Sequence, residues 1–446
     1  MKRRDFLKAG AAASAFFIVP RNVLGKGFVA PSDKLNIACV GSGGMGDYNL
    51  SSCTEENIVA LCDVDHINAS HNFEKFPDAV KYKDYRVMFE KQKDIDAVII
   101  ATPDHTHAVI TMAAMQLGKH VFCQKPLTHT VEEARQIVKA AKYYKVQTQM
   151  GNQGHSSEHI RLLKEWIADG AIGNVTEVHA WTDRPVGGDP WSTFDVKAMP
   201  SDTPPLPEGM AWDLWLGPAP ERPYHPDYHP GKWRAWFDFG TGALGDMGCH
   251  ILDPAFWALD LGSPTTIQAT STHWEPDVAS QTFPRASIVR YQFPERGEMP
   301  PVKLTWYDGR LLPPIPEELE QGRELPGSGA IIIGDKGKIM HGSHGASGMR
   351  IIPEEKMREY SRPGKTIPRV NNTHEGDWIR ACKEGKDGVP ASSNFNYGGA
   401  LTEMVLLGMA AIRSKDEILK WDSDKLEFTD NPNATRLLSK ENRTGW

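Results

Sequence analysis

Cysteine is scarce and unpaired in this chain of 446 residues: the six, Cys39, Cys53, Cys62, Cys123, Cys249 and Cys382, show neither a paired spacing nor a CxxC. That excludes a disulfide framework and a cysteine-based zinc site, and leaves them as small buried residues. Basic charge is not in excess either, with 50 Lys and Arg against 57 Asp and Glu and a net charge of -7; without a basic stripe, nucleic acid is not an expected partner. The apolar run Ala9 to Val19 is too short for an ordinary membrane span, and no internal repeat or low-complexity segment occurs. What is present is an ordinary globular composition, 40% hydrophobic and 24% charged, in a chain long enough for two or three domains. The 13 Trp and 32 Pro are high counts that point to aromatic-lined loops.

The first residues read as an address. Lys2-Arg3-Arg4-Asp5-Phe6-Leu7-Lys8 carries the Arg-Arg-x-Phe-Leu-Lys pattern of a twin-arginine export signal, and the short apolar run and Pro20 follow in order. Residues 1–30 are therefore expected to be a signal peptide, cleaved near Gly25 or Ala30, and the mature chain is expected to be periplasmic. A dinucleotide used there has to arrive already bound.

The run Leu35 to Val40 ends in Gly41-Ser42-Gly43-Gly44-Met45-Gly46, after which a helical stretch begins. Gly41, Gly43 and Gly46 fit Gly-x-Gly-x-x-Gly, a loop that turns tightly and lets backbone approach a pyrophosphate at a helix N-terminus. A second strand, Ile58 to Cys62, ends in Asp63, placed to bind the adenosine ribose hydroxyls and to repel a 2'-phosphate. The expected cofactor is thus NAD. Alternation continues with a strand over Ala97–Ala101, a helix over Thr106–Leu117, a strand over His120–Cys123, a helix over Val131–Tyr144 and a strand over Gln147–Met150. This predicts a doubly wound parallel sheet over residues 33–150, with its chemistry at the carboxyl ends of the strands. Those ends read Thr102-Pro103-Asp104-His105-Thr106-His107, Gln124-Lys125-Pro126, and Gly151-Asn152-Gln153-Gly154-His155.

Later, Gly242 to Asp253 places Asp246 and His250 four residues apart, on one helix face. Gly245 and Gly248 strip bulk from that helix, which suggests clearance for a substrate or nicotinamide ring, and Pro254 predicts a kink just after the histidine.

The glycine loop, Asp63, Thr102-Pro103, Lys125-Pro126 and the later Gly-Asp-x-Gly-x-His together resemble the glucose-fructose oxidoreductase, inositol dehydrogenase and rhizopine-catabolism family, over nearly all of the chain after residue 33. The resemblance implies that Lys125 lies beside nicotinamide and substrate and that Asp246 and His250 complete the catalytic group. Gln124 stands where that family usually has glutamate. The expected cofactor contacts are Gly41, Gly43, Gly44, Met45, Gly46, Asp63, Thr102, Pro103, His107, Gln124 and Lys125.

Residues 151–446 are expected to form a substrate domain built on a large, mostly antiparallel sheet, an α+β partner to the α/β nucleotide domain. A helix over Glu158–Asp169 leads into a strand over Val175–Trp181. Further strands are expected over Thr266–Trp274, Ala286–Phe293 and Val302–Trp306, with a hairpin of Ala330–Ile333 and Lys338–Met340. Helices are expected over Thr373–Cys382 and Tyr397–Arg413, followed by a polar, irregular tail. One sheet face is expected to pair with a second subunit, as is common in the family. The Pro- and aromatic-rich stretch Thr182 to Phe239, with Trp212, Trp215, Tyr224, His225, Tyr228, His229, Trp233 and Trp236, reads as a wall for a sugar ring, with Trp233 and Trp236 as contacts. Asn152, Gln153 and His155 are the candidates for sugar hydroxyls. The scattered histidines do not make a metal site, and no metal is expected.

Oxidising a secondary alcohol needs a hydride acceptor, a base and a group to stabilise the developing oxyanion. His250, with an ordinary pKa near about 6.5, suits the base, with Asp246 orienting it or binding a neighbouring hydroxyl, both residues being expected to touch the substrate, and Lys125 suits the oxygen; which of Lys125 and His250 takes the proton stays open. The leading reading is an NAD-dependent oxidoreductase acting on a hydroxyl of a sugar or glycoside. A redox-neutral glycosidase that uses bound NAD as a transient oxidant, and a non-catalytic sugar-binding protein, are the alternatives.

Overall fold

The computed structural model describes residues 33–189, 192–272, 276–414 and 417–446. The expected signal peptide and the end of the strand expected over Thr266–Trp274 lie outside the described residues. The first unit alternates β1 (Asn36–Val40), α1 (Met45–Ser51), β2 (Asn57–Cys62), α2 (Ser70–Lys75), β3 (Val80–Tyr82), α3 (Tyr85–Lys91), β4 (Ala97–Ile100), α4 (Asp104–Gln116), β5 (His120–Cys123), α5 (Val131–Tyr144) and β6 (Thr148–Met150). Its strands run parallel in the order β3-β2-β1-β4-β5-β6. All four residues of β4 are buried because helices cover both sheet faces, which is why the strand reads as an unbroken apolar run. Strand order reverses between β1 and β4, so the crevice for a ligand opens at their carboxyl ends. The helix expected over Val131–Tyr144 has those limits. It starts in a capping box: Thr130 Oγ1 accepts from the Glu133 N–H at 3.3 Å, and the Glu133 carboxylate accepts from the Thr130 N–H at 3.0 Å.

The chain then forms α6 (Glu158–Ala168), β7 (Val175–Trp181), α7 (Trp212–Leu216), α8 (Gly242–Ile251), α9 (Asp253–Ala258), β8 (Thr266–Ser271), α10 (Pro276–Ala279), β9 (Ser287–Phe293), β10 (Val302–Tyr307), β11 (Gly329–Gly334), β12 (Lys338–Gly342) and β13 (Arg350–Ile352). It closes with α11 (Glu354–Glu359), α12 (His374–Glu384), α13 (Phe395–Arg413), β14 (Ile418–Asp422), β15 (Glu427–Phe428) and α14 (Pro432–Arg436). The second sheet has nine strands in the order β13-β12-β11-β7-β10-β9-β8-β14-β15. Only the central pair β7 and β10 is parallel, so the sheet is mostly antiparallel, as expected.

The tail is not irregular. Leu419 and Trp421 alternate inward on β14, which pairs with β8, but two buried positions in five residues are too short a pattern to stand out in the sequence. Helix α13 is apolar and long enough to cross a membrane by length and composition, and 83% of its apolar window is buried inside the protein, against α5, α8 and β8. Each fully buried Leu on it contributes on the order of 2 kcal/mol. Pro254 acts as expected only in part. Rather than kinking one helix, it sits in the first turn of α9, with Leu252 separating that helix from α8.

Candidate active site

The crevice at the β1/β4 switch point opens into a cavity of about 550 Å³, lined by Gly41, Gly43, Gly44, Met45 and Asp63 on one side and Thr102, Pro103, Gln124 and Lys125 on the other. The glycines are required there. A Cβ on Gly41, which has φ +80°, would lie 2.7 Å from the carbonyl of Ala101, and one on Gly46 would lie 2.0 Å from the Gly41 oxygen. At Gly44, with φ +49°, nothing stands within 4 Å of a Cβ, so the loop backbone faces free space. This is a cradle that fits a pyrophosphate. Asp63 accepts hydrogen bonds from the backbone of Ser42 at 2.8 Å, Gly43 at 3.2 Å and Asp65 at 2.9 Å. A carboxylate has about four acceptor directions, so one is left for a ribose hydroxyl. Beyond the expected ribose contact, Asp63 therefore also pins the glycine loop.

Lys125, at the end of β5, donates to Asp246 on α8 twice, to Oδ1 at 3.0 Å and to the main-chain oxygen at 2.7 Å. Two arginines that sequence reasoning missed join them. Arg234 Nε reaches Asp246 Oδ1 at 3.1 Å, and Arg184 Nη1 pairs with Oδ2. Burial pushes the Asp246 carboxyl up, but Lys125, Arg234 and Arg184 outweigh it and hold the group well below the usual carboxylate range. Three cations around one carboxylate leave a net positive cluster. Lys125 and Arg234 reach the cavity, whereas Asp246 and His250 lie behind them, each 4% exposed. No spacing in the sequence links Arg184 to Asp246, 62 residues away; Arg234 is the neighbour of a predicted contact, Trp233.

The expectation that Asp246 orients His250 is corrected: both carboxylate oxygens are taken by Lys125 and the arginines. Instead His250 stacks on His344, ring centroids 4.2 Å apart, and its Nδ1 is buried without a hydrogen-bond partner. Burial, then Lys125 and His344, hold its pKa well below the ordinary histidine value, so the ring is a neutral base at neutral pH. The expected role of the α8 glycines is also corrected. A Cβ on Gly245 would meet Thr241 Oγ1 at 1.9 Å, and one on Gly248 would meet Val405 at 3.1 Å, so they admit neighbouring protein and give no clearance for a ring.

Several predicted contacts are tied inward, and His107 and Gln124 are so tied while still lining the cavity. His107 is buried with Nδ1 and Nε2 each 2.8 Å from a carbonyl, of Pro126 and of Thr102, so it ties two strand ends together at the cavity wall. Gln124 donates to Asn49 at 3.0 Å, and Asn49 donates to the buried Glu375 at 2.7 Å. Asn152 is fully buried against Ser393, and His155 is buried on Asp253 at 2.8 Å; neither lines the cavity, and neither does Gln153. Chain position after β6 did not reveal that α12 and the residues before α13 cover this strand end. Asp104, the first residue of α4, does line the cavity. Burial raises its carboxyl to about 7 against the opposing hydrogen bond from Thr241 at 2.5 Å and the charges of Lys125 and Arg234. Its place in the polar strand end Thr102–His107 was the signal that could have found it.

The aromatic stretch is largely its own small core. Trp212 stacks on Trp215 at 4.6 Å and Tyr228 meets Trp236 at 4.7 Å. Trp236 is fully buried with its indole N–H on the Asp227 carbonyl, which removes it as a sugar contact. Trp215, His229 and Trp233 do reach the cavity, and Arg234 stacks on Trp233 at 4.3 Å.

A parallel Rossmann sheet with a glycine-loop crevice, joined to a second domain whose buried Asp246 holds Lys125 at the crevice edge, defines a dinucleotide-binding architecture. Family models agree. Residues 35–152 match the NAD-binding Rossmann domain of the GFO_IDH_MocA oxidoreductase family, and residues 157–293 match its C-terminal alpha/beta domain. The chain belongs to this family. It is 27% identical to levoglucosan dehydrogenase of Pseudarthrobacter phenanthrenivorans over 41% of this chain and 37% of that protein. It is 27% identical to D-glucoside 3-dehydrogenase of Escherichia coli over 54% of this chain and 58% of that one. The chain thus spans well under two thirds of the length of these relatives. An inositol dehydrogenase homolog from Azotobacter vinelandii, solved with NADH and myo-inositol, has the same fold: TM-score 0.58 and 17% identity, with 87% of this chain and 98% of that one covered.

Proposed function

We propose that this chain is an NAD-dependent dehydrogenase that oxidises a secondary hydroxyl of a sugar or glycoside. The observation that carries the reading is the Lys125 ammonium, held 3.0 Å from Asp246 at the edge of the cavity that also contains the glycine loop. NAD, bound on that loop against Asp63, supplies the hydride acceptor. Lys125 and Arg234 present N–H donors to the reacting oxygen and stabilise the negative charge that develops there as the proton leaves. His250, neutral and with an unpartnered ring nitrogen, is the proposed transient acceptor of that proton. Asp246 keeps the cations in place, and Trp233 offers an apolar face to the C–H side of a sugar ring. The Arg3-Arg4 motif supports action in the periplasm after twin-arginine export, and the polar outer face of the nine-stranded sheet, with Arg290 and Lys303, is the proposed meeting surface of two copies.

The test is to incubate purified protein with NAD and a panel of inositols, free aldoses and glycosides. Stoichiometric NADH and a keto product support the reading. Release of aglycone with no net NADH would replace it by a redox-neutral glycosidase, and a protein that binds NAD yet alters none of the panel would overturn it.

A further inference from the structure

One wall of the dinucleotide cavity comes from a segment that neither the glycine loop nor the catalytic cluster uses. Trp446 lines the same cavity as Gly43, Asp63 and the run Lys83-Asp84-Tyr85. Arg443 fixes this segment in place: Nη1 pairs with Asp213 Oδ1 at 2.6 Å, Nε donates to the Gly217 carbonyl at 3.1 Å, and its backbone N–H donates to the Pro218 carbonyl at 3.0 Å. The indole edge packs at the end of α7, 3.6 Å from where a Cβ on Gly217 would stand. The Arg86 guanidinium stacks on the indole, 4.2 Å from its centroid, and is itself immobilised by both oxygens of Asp84. The Tyr85 ring lies 6.4 Å away.

Position along the crevice decides what Trp446 meets. Asp63 ends β2 and Lys83 to Tyr85 follow β3, the two strands on the adenosine side of the switch point. Lys125 ends β5, on the opposite, reacting side. An indole held beside Tyr85 therefore faces the purine, and planar bases stack on aromatic rings whatever their substituents. We propose that Trp446, pinned by Arg443 and backed by Arg86, is a stacking wall for the adenine of NAD, and that it slows cofactor release. The proposal rests on the nucleotide assignment above and adds to it a residue from outside the Rossmann unit.

The experiment measures release of bound NADH from the full chain by displacement with excess NAD, following nicotinamide emission, together with equilibrium binding of ADP-ribose and of nicotinamide mononucleotide. Trp446→Ala is expected to release NADH about tenfold faster and to weaken ADP-ribose by a similar factor, leaving nicotinamide mononucleotide within twofold. Trp446→Phe should restore most of the slow release, and Arg443→Ala, which frees the segment while leaving the indole, should fall between them. Release from Trp446→Ala within twofold of the parental protein overturns the wall, as does equal weakening of both half-molecules. Failure of the parental protein to bind ADP-ribose overturns the nucleotide assignment and the wall together.

Discussion

The rings of His250 and His344 stack with centroids 4.2 Å apart and planes at 34°, joining α8 to the loop between β12 and β13. His344 makes His250 harder to protonate, and burial and Lys125 act in the same direction on both rings. His344→Ala removes one positive-charge competitor and admits water, so the His250 pKa rises toward the ordinary histidine value. The acid limb of the kcat/KM profile should then move to higher pH, with kcat at pH 7 changed by less than about twofold, whereas His250→Ala should cost about 100-fold or more. An acid limb that stays in place in His344→Ala would refute the coupling.

Asp246 is the sole carboxylate that Lys125, Arg184 and Arg234 pair with among the described residues. In Asp246→Asn the three cations face one another without it. Thermal unfolding should show a loss of about 3 kcal/mol, since removing one partner of a buried ion cluster leaves the others uncompensated. Adding Arg184→Leu to Asp246→Asn should recover part of that loss, while the same change alone should destabilise. A double variant no more stable than Asp246→Asn would argue against charge repulsion as the cause.

Asp104 gives the pH dependence of stability a definite sign. Its carboxyl titrates near 7 in the folded protein and near 4 in the unfolded chain, so the native state binds the extra proton between those values. The stability it contributes is complete below about pH 4 and is lost as pH rises through 7, by up to about 4 kcal/mol. Asp104→Asn, which keeps an acceptor for Thr241, should therefore be more stable than the parental protein at pH 8 and differ little from it at pH 4. Denaturant midpoints at the two pH values check this, and equal differences at both would exclude the linkage.

Local patterns made the nucleotide unit legible. Continuous apolar runs, each ended by Gly, Asp or a Pro-containing polar stretch, placed five of its six strands, and the glycine spacing together with Asp63 marked the cofactor crevice. β3 was missed because its three residues are exposed or half-exposed and carry no period. Lys125 and Asp246 were found by resemblance, and the geometry joins them. The glycines of α8, by contrast, look the same in the sequence whether they clear space for a ligand or for Thr241 and Val405.

By itself, then, the order of residues determined most elements of the nucleotide unit and its parallel sheet, since these follow from periods of two and 3.6 and from turn chemistry over short stretches, while resemblance marked the lysine and the carboxylate. Only the tertiary structure decided what stands around them. Arg184 and Arg234 join Lys125 on Asp246, His344 covers His250, Trp236 and His155 turn inward, and Trp446 reaches the adenosine end of the crevice. Such contacts join residues up to hundreds of positions apart, and they are set by which faces must be buried once the two sheets and their helices pack, a condition that no local pattern encodes.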